Sequence, residues 1–502
     1  MNAGTTDEGA RSGKSTIEET TEEEVMKRIR QNTRLAAVLL MSLAAAFVGC
    51  GGGSEVPPPP SSNPPPGSNV ASVSLAITDA PPAGVSVLTF EATITGAVLQ
   101  PGNVQLITTL VPIEVKRLEV DPAILSTLNV PAGTYTSLAV SFSVPELTIR
   151  NDSNATIAPI CAVGAVCEFK PTVTGTFTFS GAPFPLTITA GNPTGLLIDV
   201  NLNNLITGAN TVDFNAAGAL AAVQFAFPLD LGDVKGRISA VGASASEFSL
   251  QLGSGRTLLF RVDANTQFED FNDPSGINCA ANNFTCFMVG QVVEVDARLM
   301  AGGLLLAREV KAIDNDLEEE LEGIVVDTSN VPASFDMVIT DEALNAAGVE
   351  VGQRVRVNLV GTVRFKIDDD NLPVNPAEFD AAFHLRVGQA VEVERRSTVS
   401  VSGTPPVPVF DTDGVTLKDT RLTGRVQSVN PAGTIAVMDL LPTLFGVTTL
   451  EVRVTPALGL TPTCGVNEPA SVQGLLFQGA TSPFLMAKKI KGRGPGAGCW
   501  DY

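Results

Sequence analysis

Histidine, tryptophan and tyrosine are nearly missing from this 502-residue chain, which holds one His, one Trp and two Tyr. Ser-His-Asp and Cys-His catalysis would both have to rest on His384 alone. A zinc centre is disfavoured too, since no second histidine exists and no cysteine pair has C-x-x-C spacing. So few aromatics cannot furnish the girdles of a transmembrane barrel, and Trp500 is the only tryptophan available as a sugar platform. Basic residues are also scarce: 32 Lys plus Arg stand against 53 Asp plus Glu, a net charge of −21. Such a surface repels phosphate backbones, so no nucleic acid partner is expected. No G-x-G-x-x-G lies between a strand and a helix and no P-loop appears, so no cofactor is expected. No apolar run reaches the roughly 20 residues that a membrane helix needs.

What is present begins near the N-terminus. Lys27, Arg28, Arg30 and Arg34 precede an apolar run over residues 35–48, then Gly49 and Cys50. A basic segment, an apolar segment and a small residue at the cut make a secretory signal. Phe47-Val48-Gly49-Cys50 resembles the lipobox of bacterial lipoproteins, although Phe47 stands where Leu is usual. The resemblance implies lipidation of Cys50 and anchoring in the cell envelope. Gly51 after Cys50, rather than Asp, resembles the signal for passage to the outer membrane, on its periplasmic or surface face. The acidic segment before Met26, with Glu18, Glu19 and Glu22 to Glu24, opposes insertion of such a signal, so Met26 is the expected start. The other reading is a polar extension that export tolerates. After Cys50, residues 51–70 carry seven prolines and no apolar periodicity, a tether that favours extended polyproline geometry at about 3.1 Å per residue.

Seven cysteines fit this location. Setting Cys50 aside for the lipid leaves an even six in an oxidising compartment, in three local pairs: Cys161 with Cys167, Cys279 with Cys286, and Cys464 with Cys499. Loop-closure entropy assigns roughly 2.4 kcal/mol to each short loop and roughly 3.8 kcal/mol to the long one.

Beyond the tether the chain reads as all-β, with short runs of Val, Thr, Ile and Phe broken by Pro, Gly, Asn and Asp. Helical patterns are confined to 341–347 and 376–383. The length requires several domains: a β-sandwich over 71–230, then three small antiparallel barrel or sandwich units over 231–316, 317–420 and 421–502. In the first, Ser74-Leu-Ala-Ile-Thr-Asp-Ala-Pro81 and Val130-Pro-Ala-Gly-Thr-Tyr135 resemble the lipoprotein family called domain of unknown function 4382. Asp79 is expected to close an Asx turn before Pro81, and Gly133 to let the chain turn so that Tyr135 enters the core. The units repeat. Val234-Lys-Gly-Arg-Ile238, Leu321-Glu-Gly-Ile-Val325 and Leu422-Thr-Gly-Arg-Val426 open them, and Val289-Gly-Gln-Val-Val-Glu-Val295 recurs as Val387-Gly-Gln-Ala-Val-Glu-Val393. A further copy, Val351-Gly-Gln-Arg-Val-Arg-Val357, lies inside the second unit, while the third has no clean V-G-Q. These motifs resemble domain of unknown function 5666, which implies a small antiparallel barrel or sandwich, while the 4382 resemblance implies an exported β domain and brings no known catalytic residue.

Candidate chemistry is thin. His384 sits before a repeated turn, at a place where the first unit has Phe287-Met288, so it reads as packing. Asp368-Asp-Asp370 with Asn371, and Asp314-Asn-Asp316 with Glu318 to Glu320, could hold Ca²⁺ through oxygen ligands. Neither has EF-hand spacing, and charge runs between strands are usually solvated. Gly253-Ser-Gly255 reads as a hairpin turn, and the segment 268–287 as either an apolar binding loop or a lid on a barrel. The expectation is a lipid-anchored, non-enzymatic binding or structural module, with no catalytic and no metal residues, held at the membrane by its anchor and facing an envelope protein or glycan. The competing class is a secreted hydrolase using carboxylates or calcium. Replacing Cys50 with Ala should abolish acyl labelling and partition into the membrane fraction; unchanged labelling would refute the anchor.

Overall fold

The computed structural model describes residues 69–492, apart from 81–85, 153–160, 174–175, 209–210, 243–245, 254, 273–278, 314–318, 343–347, 370–371, 398, 403–405, 456–465, 468 and 480. Cys50, the tether up to residue 68, Cys464 and Cys499 fall outside the described residues.

The described chain is all-β. Its first part is a sandwich. One sheet runs in the order Leu220–Phe225, Thr194–Asn201, Val70–Ala80, Ala123–Pro131. The other is built on Ser86–Gln100 paired with Ser137–Arg150. Alternating side chains from both sheets meet between them, among them Leu75, Ile77, Phe90, Ile94, Val140, Leu147 and Ile198. Tyr135 is buried in this core and its hydroxyl donates to the Pro131 carbonyl at 2.8 Å, so its polar end is satisfied. Gly133 has ordinary backbone geometry and open space around it, so the turn before Tyr135 does not depend on a glycine there. Asp79 lies in the opening strand opposite Val200; the Pro81 corner and the Asp79 side chain lie outside the described residues. Cys161 and Cys167 are disulfide-bonded in the sandwich.

Three times over, the chain then builds the same closed barrel. In the first, Leu229–Val241 pairs antiparallel with Glu247–Gln251 and with Val292–Leu299. These continue to Thr257–Arg261 and Leu305–Ala312, which meet in parallel with Phe260 opposite Leu305 and close the ring. The second barrel uses Glu319–Asp327, Ser334–Glu342, Arg354–Ile367, Ala390–Arg395 and the first half of Val407–Val429. The third uses the second half of Val407–Val429, then Ile435–Leu444, Val447–Val454, Pro469–Phe477 and Phe484–Gly492. Five strands closed this way form the small Greek-key barrel of the OB type.

The repeated motifs are explained by this closure. The glycine of each opening motif lies where the first strand passes close under the second. A Cβ on Gly236 would stand 2.6 Å from the Gln251 carbonyl oxygen, one on Gly323 2.5 Å from that of Val338, and one on Gly424 closer still to Asp439. In the V-G-Q turns at Gly290 and Gly388 the glycine takes a left-handed backbone, φ +95° and +92°, and its N–H donates to the first strand, at Ile238 and Val325. The glutamine side-chain oxygen then accepts the N–H three residues earlier, Met288 for Gln291 and Arg386 for Gln389. In the third barrel Asn467, at φ +70°, donates its N–H to Val426 in the same way. Val466-Asn467 is therefore that barrel's version of the turn, with Asn replacing Gly at the left-handed position.

Three sequence expectations change here. The helix expected over 376–383 is a pair of three-residue 3-10 turns, Pro376–Glu378 and Ala382–His384, the first capped by the Asn375 side chain. Asp341 belongs to a strand, and 343–347 lie outside the described residues. The described residues of 268–287 pack as a lid on the first barrel's core: Phe271 and Phe287 stack at 5.3 Å, Phe287 meets Phe248 edge-on, and Cys279 bonds Cys286, while 273–278 lie outside the described residues. The boundary drawn at 420/421 falls inside the continuous strand Val407–Val429, and Leu475, Phe477 and Phe484 of the third barrel complete the core of the second. These two barrels share a strand and a core, so neither is separable from the other. Gly424→Ala should cost about 1–3 kcal/mol, because its new methyl meets backbone rather than a movable side chain; denaturant unfolding with an unchanged midpoint would contradict this.

Candidate functional site

The sandwich and all three barrels meet at a cluster of charges. It starts in the sandwich, where Val111–Glu114 turns into the 3-10 segment Val115–Glu119. The Glu114 carboxylate caps that turn, accepting N–H bonds from Arg117 at 2.7 Å, Lys116 at 3.3 Å and Phe90 at 2.7 Å. The tight turn projects Arg117 into the second barrel, where Nη1 lies 2.8 Å from Asp341 and Nη2 3.9 Å from Glu322. Lys235 of the first barrel reaches the same two carboxylates, and Glu294 at 3.7 Å.

Further links run outward from this knot. Asp368 of the second barrel is clamped between Lys311 of the first and Lys418 of its own. Arg421 of the shared strand pairs with Asp233 of the first barrel, and Gln473 donates to Asp419 at 3.0 Å. Lys489 of the third barrel pairs with Asp121 of the sandwich, and Lys491 donates to the Val120 carbonyl at 3.0 Å. Ser86 of the sandwich donates to the Thr443 carbonyl of the third barrel at 2.7 Å, and Thr148 to that of Gly352 in the second, also at 2.7 Å.

Burial and pairing pull these carboxyls in opposite directions. Burial would raise Glu322, but Lys235, Lys418 and Arg117 outweigh it and hold it at about 2. Asp368 is likewise held well below the usual carboxylate range by Lys418 and Lys311 against the effect of burial. Burial pushes Glu114 up to about 7, against its three N–H donors and Arg117. It lifts Asp296 to about 6 and, helped by Glu392, Glu320 to about 8. Arg421 is lowered to about 10, first by burial and then by the nearby charge of Arg117.

A cleft with about 80 Å³ of free volume opens beside the cluster. Val87, Leu88, Ile324, Leu422, Leu444 and Phe445 form its apolar side, and Arg117, Lys418 and Arg421 its charged end. Pockets between domains of this mixed character are usual ligand sites.

No residue weighed in the sequence for catalysis, metal binding or disulfide formation lines the cleft, although the repeat motifs do, through Glu322, Ile324, Gly388 and Leu422. Both described disulfides lie elsewhere. His384 sits in a 3-10 turn, its Nδ1 accepting the Asp380 N–H at 3.3 Å and 3.2 Å from the Asp380 carboxylate, with Phe383 against its ring. Aligning the turns on Gly290 and Gly388 places Cys286 opposite His384 and Met288 opposite Arg386, which corrects the earlier equivalence. Asp368, weighed in the sequence as a possible calcium ligand and set aside, has its carboxylate taken by two ammonium groups; Asp370, Asn371 and 314–318 lie outside the described residues. Among the described residues no group of three His, Cys, Asp or Glu is arranged to hold a metal. A signal for the cluster did exist in the repeats. Lys235 and Glu322 both precede the opening glycine, and Glu294 and Glu392 share the V-E-V position, charges recurring inside strands otherwise built to be buried.

The architecture is thus a sandwich joined to three Greek-key barrels around a buried charge cluster. Residues 235–311, the first barrel, match the family model described as Domain of unknown function (DUF5666). No curated protein matches the chain. Among solved structures, the single-stranded DNA binding protein from Thermus aquaticus aligns at 16% identity over 36% of this chain and 94% of that one, with a TM-score of 0.12.

The pKa directions set a pH dependence. Glu114, Asp296 and Glu320 have folded values above their unfolded ones, so their contribution is fully present below about pH 4 and is lost as pH rises through 6 to 8. Glu322 and Asp368 act oppositely, contributing above about pH 4.5 and losing it as pH falls toward 2. Stability should therefore peak near pH 5 and fall by about 2 kcal/mol or more at pH 8, a few degrees in melting midpoint. A midpoint that rises steadily from pH 5 to 8 would contradict this assignment.

Proposed function

We propose that this chain is a lipid-anchored envelope protein whose folded part acts as one rigid, non-enzymatic binding or structural module. The anchor would be Cys50, and residues 51–70 would hold the module away from the membrane, in keeping with the export signal and the proline-rich tether. The resemblance of the sandwich to domain of unknown function 4382 supports the same setting, and the outer membrane is the location that Gly51 favours.

The observation that carries the reading is the cluster around Glu322, which gathers cations from the sandwich and the first barrel onto the second. Buried ion pairs add little net stability, because desolvation offsets their attraction, but removing one partner strands the other. Their effect is to make one relative placement of the units far better than any other. A protein built to hold several β units in fixed register suits presentation of a composite surface, and the cleft between sandwich and barrels is the binding position that follows.

Calorimetry of the lipid-free ectodomain should give a single unfolding transition, where independent units would unfold separately. Arg117→Met leaves Asp341 and Glu322 short of a cation and should cost about 3–5 kcal/mol, separating the sandwich from the barrels into two transitions. Separate transitions in the unaltered protein would overturn the rigid-module reading.

A further inference from the structure

The cleft between sandwich and barrels has a covered side, a charged end and one unmet hydrogen-bond donor. Its cover is the turn between Ile435–Leu444 and Val447–Val454. That turn is pinned onto the sandwich by the Ser86 bond to the Thr443 carbonyl at 2.7 Å, and by the Arg150 guanidinium lying 4.4 Å over the Phe445 ring. Leu444 packs directly against Gly388 of the second barrel, so the turn is wedged between the two.

At the charged end cations are concentrated as nowhere else along the cleft. The chain carries −21 overall, yet the cleft lining includes Lys116, Arg117, Lys418 and Arg421. The facing acids are fewer: Glu114, Glu322 and Asp419. Most of these groups already have partners: Glu114 accepts from three backbone N–H groups, Lys116 pairs with Glu119, Arg117 with Asp341 and Glu322, and Lys418 with Asp368. Arg421 is the singular member. Its Nη2 is held by Asp233, while its Nε–H is buried and has no acceptor. An unmet buried donor costs about 1–3 kcal/mol, and the neighbouring Arg117 charge adds repulsion at the same end. An anion placed there would relieve both.

We propose that the cleft binds a small monocarboxylate, its carboxylate accepting from Arg421 Nε and its short apolar stem lying against Leu88, Leu422 and Phe445. Arginine is suited to this because its planar fork matches carboxylate geometry. The free volume of about 80 Å³ limits the ligand to a few heavy atoms inside the cleft. A doubly charged phosphate fits less well, because Glu322 and Asp419 line the same end and one unmet donor is offered rather than several. The inference rests on reading the folded part as a binding module and names the ligand class of that site.

The test uses the lipid-free ectodomain with butyrate as the probe, and with sodium chloride at equal ionic strength and butanol as controls. Butyrate should raise the melting midpoint by about 2 °C or more at concentrations well above Kd, and neither control should do so. Arg421→Lys keeps the charge but removes Nε and the planar fork, and should abolish the shift. Leu88→Trp fills the apolar side without touching a charge and should also abolish it, which guards against an Arg421 variant that folds poorly. Equal shifts from butyrate and chloride would overturn the site, as would a butyrate shift surviving in both variants. An ectodomain that retains an envelope component yet ignores butyrate would refute the carboxylate site and leave the broader reading standing.

Discussion

Glu322 is where the relative placement of the units is decided. Its carboxylate meets Arg117 from the sandwich and Lys235 from the first barrel, and it sits on the first strand of the second. Attraction between charges is strong there because the groups are removed from water, and for the same reason any placement that separates them leaves an unpaired buried charge. The apolar cores alone would tolerate several placements of the sandwich and the first barrel against the joined second and third barrels, since each of these parts buries a largely separate interior. Charge pairing removes that freedom. The Asp368 clamp and the Lys489 pair with Asp121 extend the constraint to every unit.

Covalent continuity works with the charges. The 23-residue strand Val407–Val429 serves as the last strand of one barrel and the first of the next, so those two turn together. Arg421 and Lys418 stand on that strand, and it carries them into the junction from the barrel side, while the turn at Thr443 closes over them from the third barrel. A cleft made by three units at once exists only when all are docked. Its contents are therefore coupled to the docking, because a ligand that binds only the assembled form favours that form by mass action.

The repeats show how one barrel pattern is reused with different outer chemistry. The opening glycine and the left-handed turn serve ring closure and recur for steric reasons. The residue before that glycine is free of this requirement and varies: Lys235, Glu322 and Thr423 occupy it in turn. Cation in the first barrel and carboxylate in the second are complementary, so a duplicated position became the contact between copies.

The chain of residues by itself determined the β character, the sandwich followed by repeats, and the pairs Cys161–Cys167 and Cys279–Cys286, because alternation, turn residues and close spacing are short-range properties. It also carried the closure glycines, whose need comes from backbone geometry within one unit. Asn467 escaped notice because any residue tolerant of a left-handed backbone can stand where the pattern has Gly. Tertiary structure alone decided which charges are buried. Arg117, Glu322, Lys418 and Arg421 look in sequence like the solvated faces of strands, and Asp368 like an open cation site. Their roles depend on partners up to hundreds of positions away, as with Lys489 and Asp121, and pairing energy at such separations is set by docking, which no local pattern encodes.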